Sequence, residues 1–205
     1  MIRLIFVALF VVLFLIIGIP VLGIEWLIGK ISKKTMDYSS LRLVQWAFNM
    51  IIKLAGIELT VIGEENISEG PVLYIGNHRS FFDIVITYAR CKNLTGYIAK
   101  KEMLSIPLLR TWMKRLYCLF LDRENPKEGL KTILTGIDYL KAGTSIVIFP
   151  EGTRNKSIDG VLPFHAGSFK LAEKSGCRII PIVQNNTAAA LEDHLPFFKK
   201  THTVL

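Results

Sequence analysis

Apolar and polar positions fall into blocks along this chain, and the first block is the longest. From Leu4 to Ile24 there is no charged or strongly polar residue. A run of about 20 apolar residues is long enough to cross a bilayer as a helix. From Tyr38 to Ala55 apolar residues recur at helical spacing, and Gly56 is a suitable stop. The pattern therefore predicts an apolar helix followed by an amphipathic one.

Beyond residue 57, short apolar runs typical of strands alternate with segments of helical periodicity. The predicted strands are Glu58–Ile62, Val72–Ile75, Leu94–Ala99, Leu116–Leu121, Ser145–Phe149 and Ile179–Val183. The predicted helices are Phe81–Arg90, Lys101–Arg115 with an interruption near Pro107, a helix from Asn125 to about Gly143, and Ala166–Ser175. This alternation predicts an α/β fold: a mixed, largely buried sheet flanked by helices, with an N-terminal membrane-associated helical segment.

The apolar run at the N-terminus is compatible with more than one arrangement. A signal peptide is disfavoured, because its apolar core should be shorter and should end in a small-residue cleavage site, which is absent here. A transmembrane helix and a bent interfacial hairpin both remain open. Gly18, Pro20 and Gly23 lie in the second half of the run, where they could bend a helix.

Charge adds an orientation and a class of partner. Lys30, Lys33 and Lys34 follow the run and only Arg3 precedes it, which favours a cytoplasmic catalytic domain on the cell membrane. The formal net charge is +8 without any nucleic-acid motif, so the membrane lipid bilayer is the expected partner and nucleic acid is not. We therefore expect a membrane anchor over residues 1–34 and one catalytic domain over residues 35–205.

Two short polar segments directly follow predicted strands. Asn77–Asp83 comes after Val72–Ile75, and Phe149–Arg154 comes at the end of the strand that starts at Ser145. Ligands bind beyond the carboxyl ends of strands in open α/β sheets. His78 is the natural candidate for a general base, because an unperturbed histidine titrates close to neutrality. Five residues along one continuous helix would place the side chains of His78 and Asp83 on different faces. The two can meet only if the chain turns between them, with His78 in a loop and Asp83 in the first helical turn.

These segments resemble the motifs of the glycerolipid acyltransferases. Asn77–Asp83 resembles the family's His-x4-Asp motif, and Phe149–Arg154 resembles its Phe-Pro-Glu-Gly-Thr-Arg motif. Leu119–Arg123 resembles the arginine motif between them, and Ile179–Val183 resembles the final apolar-proline motif. All four occur in the family's order. Within the family, the chain is most similar to the bacterial-type 1-acyl-sn-glycerol-3-phosphate acyltransferases.

The resemblance implies an enzyme of phospholipid biosynthesis. Such an enzyme transfers a fatty acyl group from acyl-CoA or acyl-carrier protein to the sn-2 hydroxyl of lysophosphatidate, giving phosphatidic acid. His78 would act as base and Asp83 would stabilise its imidazolium. Separately from the resemblance, backbone N–H groups near the loop of residues 77–80 could serve as the oxyanion hole. No serine nucleophile and no cofactor are implied, since the acyl thioester is a co-substrate.

The resemblance also implies where the substrate binds. Arginines suit bidentate phosphate contacts, and a glycine lets backbone approach a ligand. The implied substrate-binding residues are Arg123, Glu151, Gly152, Thr153, Arg154 and Lys100, with Glu151 on the glycerol hydroxyls. The chain departs from the family at Phe164–Gly167, where many relatives carry a basic pair.

Alternatives remain at this stage. The acceptor could be glycerol-3-phosphate or another lysolipid, or the chain could be an inactive membrane module that binds anionic lipid. No third ligand accompanies His78 and Asp83, so no metal site is expected. Relatives usually continue with a further strand beyond the point where Thr203–Leu205 starts one, so we expect either a short member or a fragment.

Overall fold

A computed structural model describes residues 2–157 and 160–205 and confirms the α/β fold. The chain forms two compact units. The first, here the helical unit, comprises Met1–Ile62, Arg79–Cys91 and Gln184–Leu205. The second, here the sheet unit, comprises Gly63–His78 and Lys92–Val183. The expected division into an anchor over 1–34 and a domain over 35–205 stays a prediction.

The helical unit contains three helices and a two-stranded parallel sheet. These elements are α1 (Ile2–Ile31), α2 (Lys33–Ala55), α3 (Phe82–Arg90), β1 (Ile57–Thr60) and β7 (Thr201–Val204). Helix α2 begins five residues before the expected start, because the Ser32 side chain accepts the N–H of Thr35 as an N-cap. It ends as predicted at Gly56, which adopts φ 80°. The expected strand at the end of the chain is confirmed as β7.

Helix α1 is continuous through Pro20 and packs against α2. Near its start, Val7 lies in an apolar cluster with Ile52 and Ala55. The rings of Phe10 and Trp46 lie 5.8 Å apart. Near its end, the buried Glu25 carboxylate accepts a hydrogen bond of 2.6 Å from the Ser39 hydroxyl. The opposite side of α1 exposes large apolar side chains, and the helix is long and apolar enough to cross a membrane.

The sheet unit is built on a five-stranded parallel sheet in the order β4-β3-β5-β2-β6. Its elements are β2 (Val72–Gly76), β3 (Thr95–Lys100), α4 (Pro107–Arg115), β4 (Leu119–Leu121), α5 (Pro126–Lys141), β5 (Ser145–Ile148), α6 (Lys170–Ser175) and β6 (Arg178–Ile182). The core contains fully buried side chains from strands and helices: Leu73, Ile146, Leu140 and Leu171. The paired strands that the structure describes are all parallel, so the sheet is parallel rather than mixed.

Several boundaries differ from the sequence expectations. The strand expected over Leu116–Leu121 is only three residues long. Tyr117 adopts φ 59°, and the Cys118 N–H still donates to the Met113 carbonyl, so the chain is completing the end of α4 at this point. The helix expected over Ala166–Ser175 starts as a 3₁₀ turn and becomes α-helical only at Lys170.

Candidate active site

The carboxyl edge of the five-stranded sheet carries most of the motif residues. His78 lies two residues after β2, Glu151 lies three residues after β5, and Arg123 lies two residues after β4. Lys100 is the last residue of β3. Neighbouring strands run about 4.8 Å apart and in the same direction, so their carboxyl ends meet at one edge. These residues therefore lie at strand ends, as the sequence predicted, and their role as a site stays a prediction.

His78 is held by the segment from Phe149 to Asn155. Its backbone N–H donates to the Glu151 carboxylate at 2.7 Å. Its carbonyl accepts the Asn155 N–H at 2.6 Å. Its ring stacks on the Phe149 ring, with centroids 4.2 Å apart and planes inclined by 12°. Two motifs far apart in sequence thus meet, and one anchors the other.

Glu151 is buried, with 4% of its surface exposed. One carboxylate oxygen accepts the His78 N–H, and the other accepts the Leu162 N–H at 2.8 Å. Both oxygens are therefore engaged by backbone donors. The expected contact between Glu151 and the glycerol hydroxyls stays a prediction.

Gly152 occupies a position where a side chain does not fit. Its φ is 71°, in the region that favours glycine. A Cβ built there would lie 2.9 Å from His165 Nε2 and 4.0 Å from Arg123 Cζ. Arg123 and Gly152 are thereby brought together, as the resemblance implied. His165, which stands in the segment where many relatives carry a basic pair, also lies here because its N–H donates to the Pro150 carbonyl.

The remaining expected phosphate contacts are accessible. Arg123, Thr153 and Lys100 are exposed, and Arg154 is half-buried. Beside them, Lys101 forms an ion pair of 2.9 Å with Asp122, and this hydrogen bond holds the pKa of the Asp122 carboxyl below its usual range. The exposed cations can therefore meet a ligand from solvent, while the neighbouring lysine is already paired.

Asp83 lies in the first turn of α3, as the spacing required, and His78 lies in the preceding loop. Asp83 is fully buried. Its Oδ2 accepts the N–H groups of Arg79 and Ser80 at 2.6 and 2.7 Å. Helix α3 begins at Phe82, one residue later than expected, and the Phe82 N–H donates to the Ser80 hydroxyl at 3.0 Å.

Most of the backbone N–H groups of residues 77–80, near which the oxyanion hole is expected, are already engaged in the structure. The N–H of His78 donates to Glu151, and those of Arg79 and Ser80 donate to Asp83. A donor that already serves a carboxylate is not available for the oxyanion of a tetrahedral intermediate. Three of the four groups are therefore excluded.

Glu192 is a site-related residue that the sequence did not reveal. Its carboxylate accepts the Ser80 hydroxyl and the Phe81 N–H, each at 2.7 Å. It lies more than 100 residues downstream in a short 3₁₀ turn, Glu192–His194, outside all four motifs. No local pattern marks it, because only the tertiary fold brings it to the start of α3.

Metal-ligating side chains do not gather at this site. Within residues 2–157 and 160–205, no group of three or more His, Cys, Asp or Glu residues is placed to hold a metal ion.

Comparison with known proteins agrees with the motifs. The sequence model of the Acyltransferase family matches residues 58–185. A 1-acyl-sn-glycerol-3-phosphate acyltransferase of Saccharomyces cerevisiae is 32% identical over 165 residues, covering 77% of this chain and 54% of that protein. One from Helicobacter pylori is 34% identical over 142 residues, covering 69% of this chain and 59% of that protein. The chain thus spans between half and three-fifths of the length of these two curated relatives.

A solved structure shares the fold. The crystal structure of the 1-acyl-sn-glycerophosphate (LPA) acyltransferase PlsC from Thermotoga maritima superposes with a TM-score of 0.85 at 21% identity, covering 99% of this chain and 81% of that one. The motifs stand at strand ends of the same α/β architecture, and the family model matches the segment that holds them. The chain therefore belongs to the Acyltransferase family.

Proposed function

We propose that this protein transfers a fatty acyl group from an acyl thioester to the sn-2 hydroxyl of lysophosphatidate, giving phosphatidate. The observation that carries the proposal is the anchoring of His78 by the Phe149–Asn155 segment at the carboxyl edge of the sheet. Exposed cations lie at the same edge. The names of the relatives supply the substrate class.

In the proposed reaction, His78 removes the proton from the sn-2 hydroxyl as the oxygen attacks the thioester carbonyl carbon. A C–O bond forms, and the tetrahedral intermediate collapses with cleavage of the C–S bond. The imidazolium returns its proton to the leaving thiolate, so CoA or carrier protein departs as a free thiol. Asp83 stabilises the imidazolium in this scheme. No covalent enzyme intermediate is required.

The acceptor phosphate is proposed to meet Arg154 and Arg123, with Lys100 as a further cation. Guanidinium groups bind phosphate through paired N–H donors. Thr153 offers a hydroxyl, and Gly152, which has no side chain, lets the backbone approach the ligand. A phosphate without its arginine in a partly desolvated site costs about 2–5 kcal/mol.

For the membrane segment, contacts inside the helical unit favour an α1 that lies in one leaflet over one that crosses the membrane. Here the hairpin is formed by α1 and α2, not by a bend within α1. Helix α1 meets α2 near both of its ends, through Val7 with Ile52 and through Glu25 with Ser39. Helix α2 carries charged residues from Lys33 to Lys53 and is unsuited to the bilayer interior. A helix that packs along such a partner does not cross to the other side alone. We propose that α1 inserts its apolar outer face from the cytoplasmic side of the cell membrane.

Activity of the purified full chain tests the reaction. Lysophosphatidate and other lysolipids are offered with labelled acyl-CoA or acyl-carrier protein, and phosphatidate is measured. H78A is expected to lose about 10²–10⁴-fold in kcat, because it removes the base. H202A removes an imidazole on β7 and is the matched control. Folded H78A protein with substantial activity would refute the base mechanism, and acylation of only a different lysolipid would change the acceptor.

Cysteine labelling tests the hairpin. In a variant whose native cysteines are replaced by serine, I2C and I31C place single thiols at the exposed ends of α1. In sealed vesicles of known orientation, a hairpin exposes both thiols to a membrane-impermeant maleimide on the same side. Labelling from opposite sides would establish a transmembrane helix instead.

A further inference from the structure

We infer that Glu151 is a positioning residue that fixes the backbone of His78, and that it is not a contact for the acceptor. The inference rests on the proposed function, since it concerns the base of that reaction. It reassigns a residue that the family resemblance placed on the glycerol hydroxyls, and it rests on contacts within the sheet unit.

The geometry of the Glu151 carboxylate supports a positioning role. Glu151 is 4% exposed, and its two oxygens accept from two different backbone segments, at His78 and at Leu162. Hydrogen bonds to an ionised acceptor are among the strongest in proteins, and removing one leaves a buried N–H without its acceptor. A side chain buried and bonded in this way is suited to holding the protein and unsuited to exchanging partners with each incoming substrate.

His78 is held at its N–H, at its carbonyl and on one face of its ring. The Glu151 carboxylate accepts the His78 N–H, and the Asn155 N–H donates to the His78 carbonyl. The Phe149 ring covers one face of the imidazole. All three supports come from seven consecutive residues. The peptide groups on both sides of His78 are thus anchored, and a general base needs such placement because a displacement of about 1 Å can cost on the order of 10²-fold in rate.

Position 151 needs a carboxylate to bond both backbone donors. The two N–H donors reach different oxygens of the side chain, and a carboxylate offers both as acceptors, whereas an amide offers one oxygen and an NH₂ donor. In E151Q the side chain has the same shape, but its amide NH₂ would face one of the two N–H groups. With the amide nitrogen toward His78 that bond is lost, and with the amide oxygen toward His78 a bond to a carboxylate becomes a weaker bond to a neutral amide, so the anchoring of His78 weakens in either orientation without loss of volume.

Steady-state kinetics of full-length E151Q distinguish the two roles. A positioning residue predicts that kcat falls about 10²-fold while the KM values for lysophosphatidate and for the acyl donor stay within about threefold. A contact with the acceptor predicts a rise in the KM for lysophosphatidate alone, which would overturn the inference. E173Q makes the same substitution on the exposed surface of α6 and is expected to leave both parameters unchanged.

A second measurement does not depend on turnover. In ¹H–¹⁵N spectra of detergent-solubilised protein, the His78 amide proton is expected to resonate downfield because of its 2.7 Å bond to a carboxylate, and to move upfield in E151Q. An unchanged His78 amide would overturn the inference even if activity fell. If the wild-type protein does not acylate lysophosphatidate, the proposed function fails, while the amide signal still decides the position of Glu151.

A conservative variant covers the case in which E151Q does not fold. E151D keeps the charge, but its side chain is one methylene shorter and cannot span both donors. We expect a lower kcat with unchanged KM values and a shifted His78 amide. Wild-type kcat together with a wild-type amide signal in E151D would show that the bridging geometry is not needed, which would overturn the inference.

Discussion

Replacement of Gly152 by alanine is the sharpest test of the loop that carries the expected phosphate contacts. Gly152 has φ 71°, and a Cβ there would lie 2.9 Å from His165 Nε2. Two costs arise from one added methyl group. The first is backbone strain, because a residue with a side chain is disfavoured in this conformation. The second is a clash that moves the His165 ring, since real Cβ atoms do not approach other atoms so closely.

The two costs have different sizes. The left-handed conformation costs a non-glycine residue about 1–2 kcal/mol. The clash costs less than a buried one would, because His165 is exposed and its ring is the far end of a flexible side chain. We assign it about 0.5–1 kcal/mol, just below the penalty of about 1–3 kcal/mol for overpacking a buried core. G152A should therefore lose about 1.5–3 kcal/mol, which lowers Tm by about 3–12 °C in a chain of this size.

Thermal unfolding in detergent, followed by circular dichroism, separates the cost of backbone strain from the cost of the clash. G176A is the matched control, because Gly176 has φ 76° and, among the described residues, no atom lies within 4 Å of its built Cβ. It should show the strain alone. The double variant G152A/H165A removes the ring and should recover the clash term, giving a coupling of at least about 0.5 kcal/mol. The acceptor KM should rise in G152A, because Arg123 packs at the same position.

A Tm for G152A equal to that of the wild type would refute the strain argument. Strict additivity of G152A and H165A would refute the contact between the added methyl group and the histidine ring. A loss in G176A as large as that in G152A would show that backbone conformation accounts for the whole effect.

Three further predictions concern other parts of the molecule. E192A should lower stability by about 0.5–1.5 kcal/mol for each lost bond in denaturant titrations, because it leaves the Ser80 hydroxyl and the Phe81 N–H without their acceptor, and an unchanged midpoint would contradict this. Burial raises the pKa of the Cys118 thiol to about 12, so this thiol stays protonated below that pH, and iodoacetamide should label it slowly at pH 8 in native protein and readily after unfolding. Chelation with EDTA should leave activity unchanged, and a loss that one metal ion restores would require a different mechanism.

The local features of this protein follow from its sequence. The alternation of strand-like and helical periods predicted the α/β fold, and Asn125 with Pro126 predicted the start of α5, which the Asn125 side chain caps. The five-residue spacing of His78 and Asp83 predicted a loop followed by a helical turn, because these side chains would face apart on one helix. Such inferences succeed because periodicity, capping and spacing act over a few neighbouring residues.

The contacts between distant segments were decided only by the tertiary structure. The parallel strand order brings Phe149–Asn155 beside His78, and this packing buries Glu151 between two backbone donors. Folding also delivers Glu192 to the start of α3 and occupies the N–H groups expected to form an oxyanion hole. Burial and hydrogen-bond partners depend on which segments pack together, and residues 73 or 112 positions apart carry no local signal of that choice.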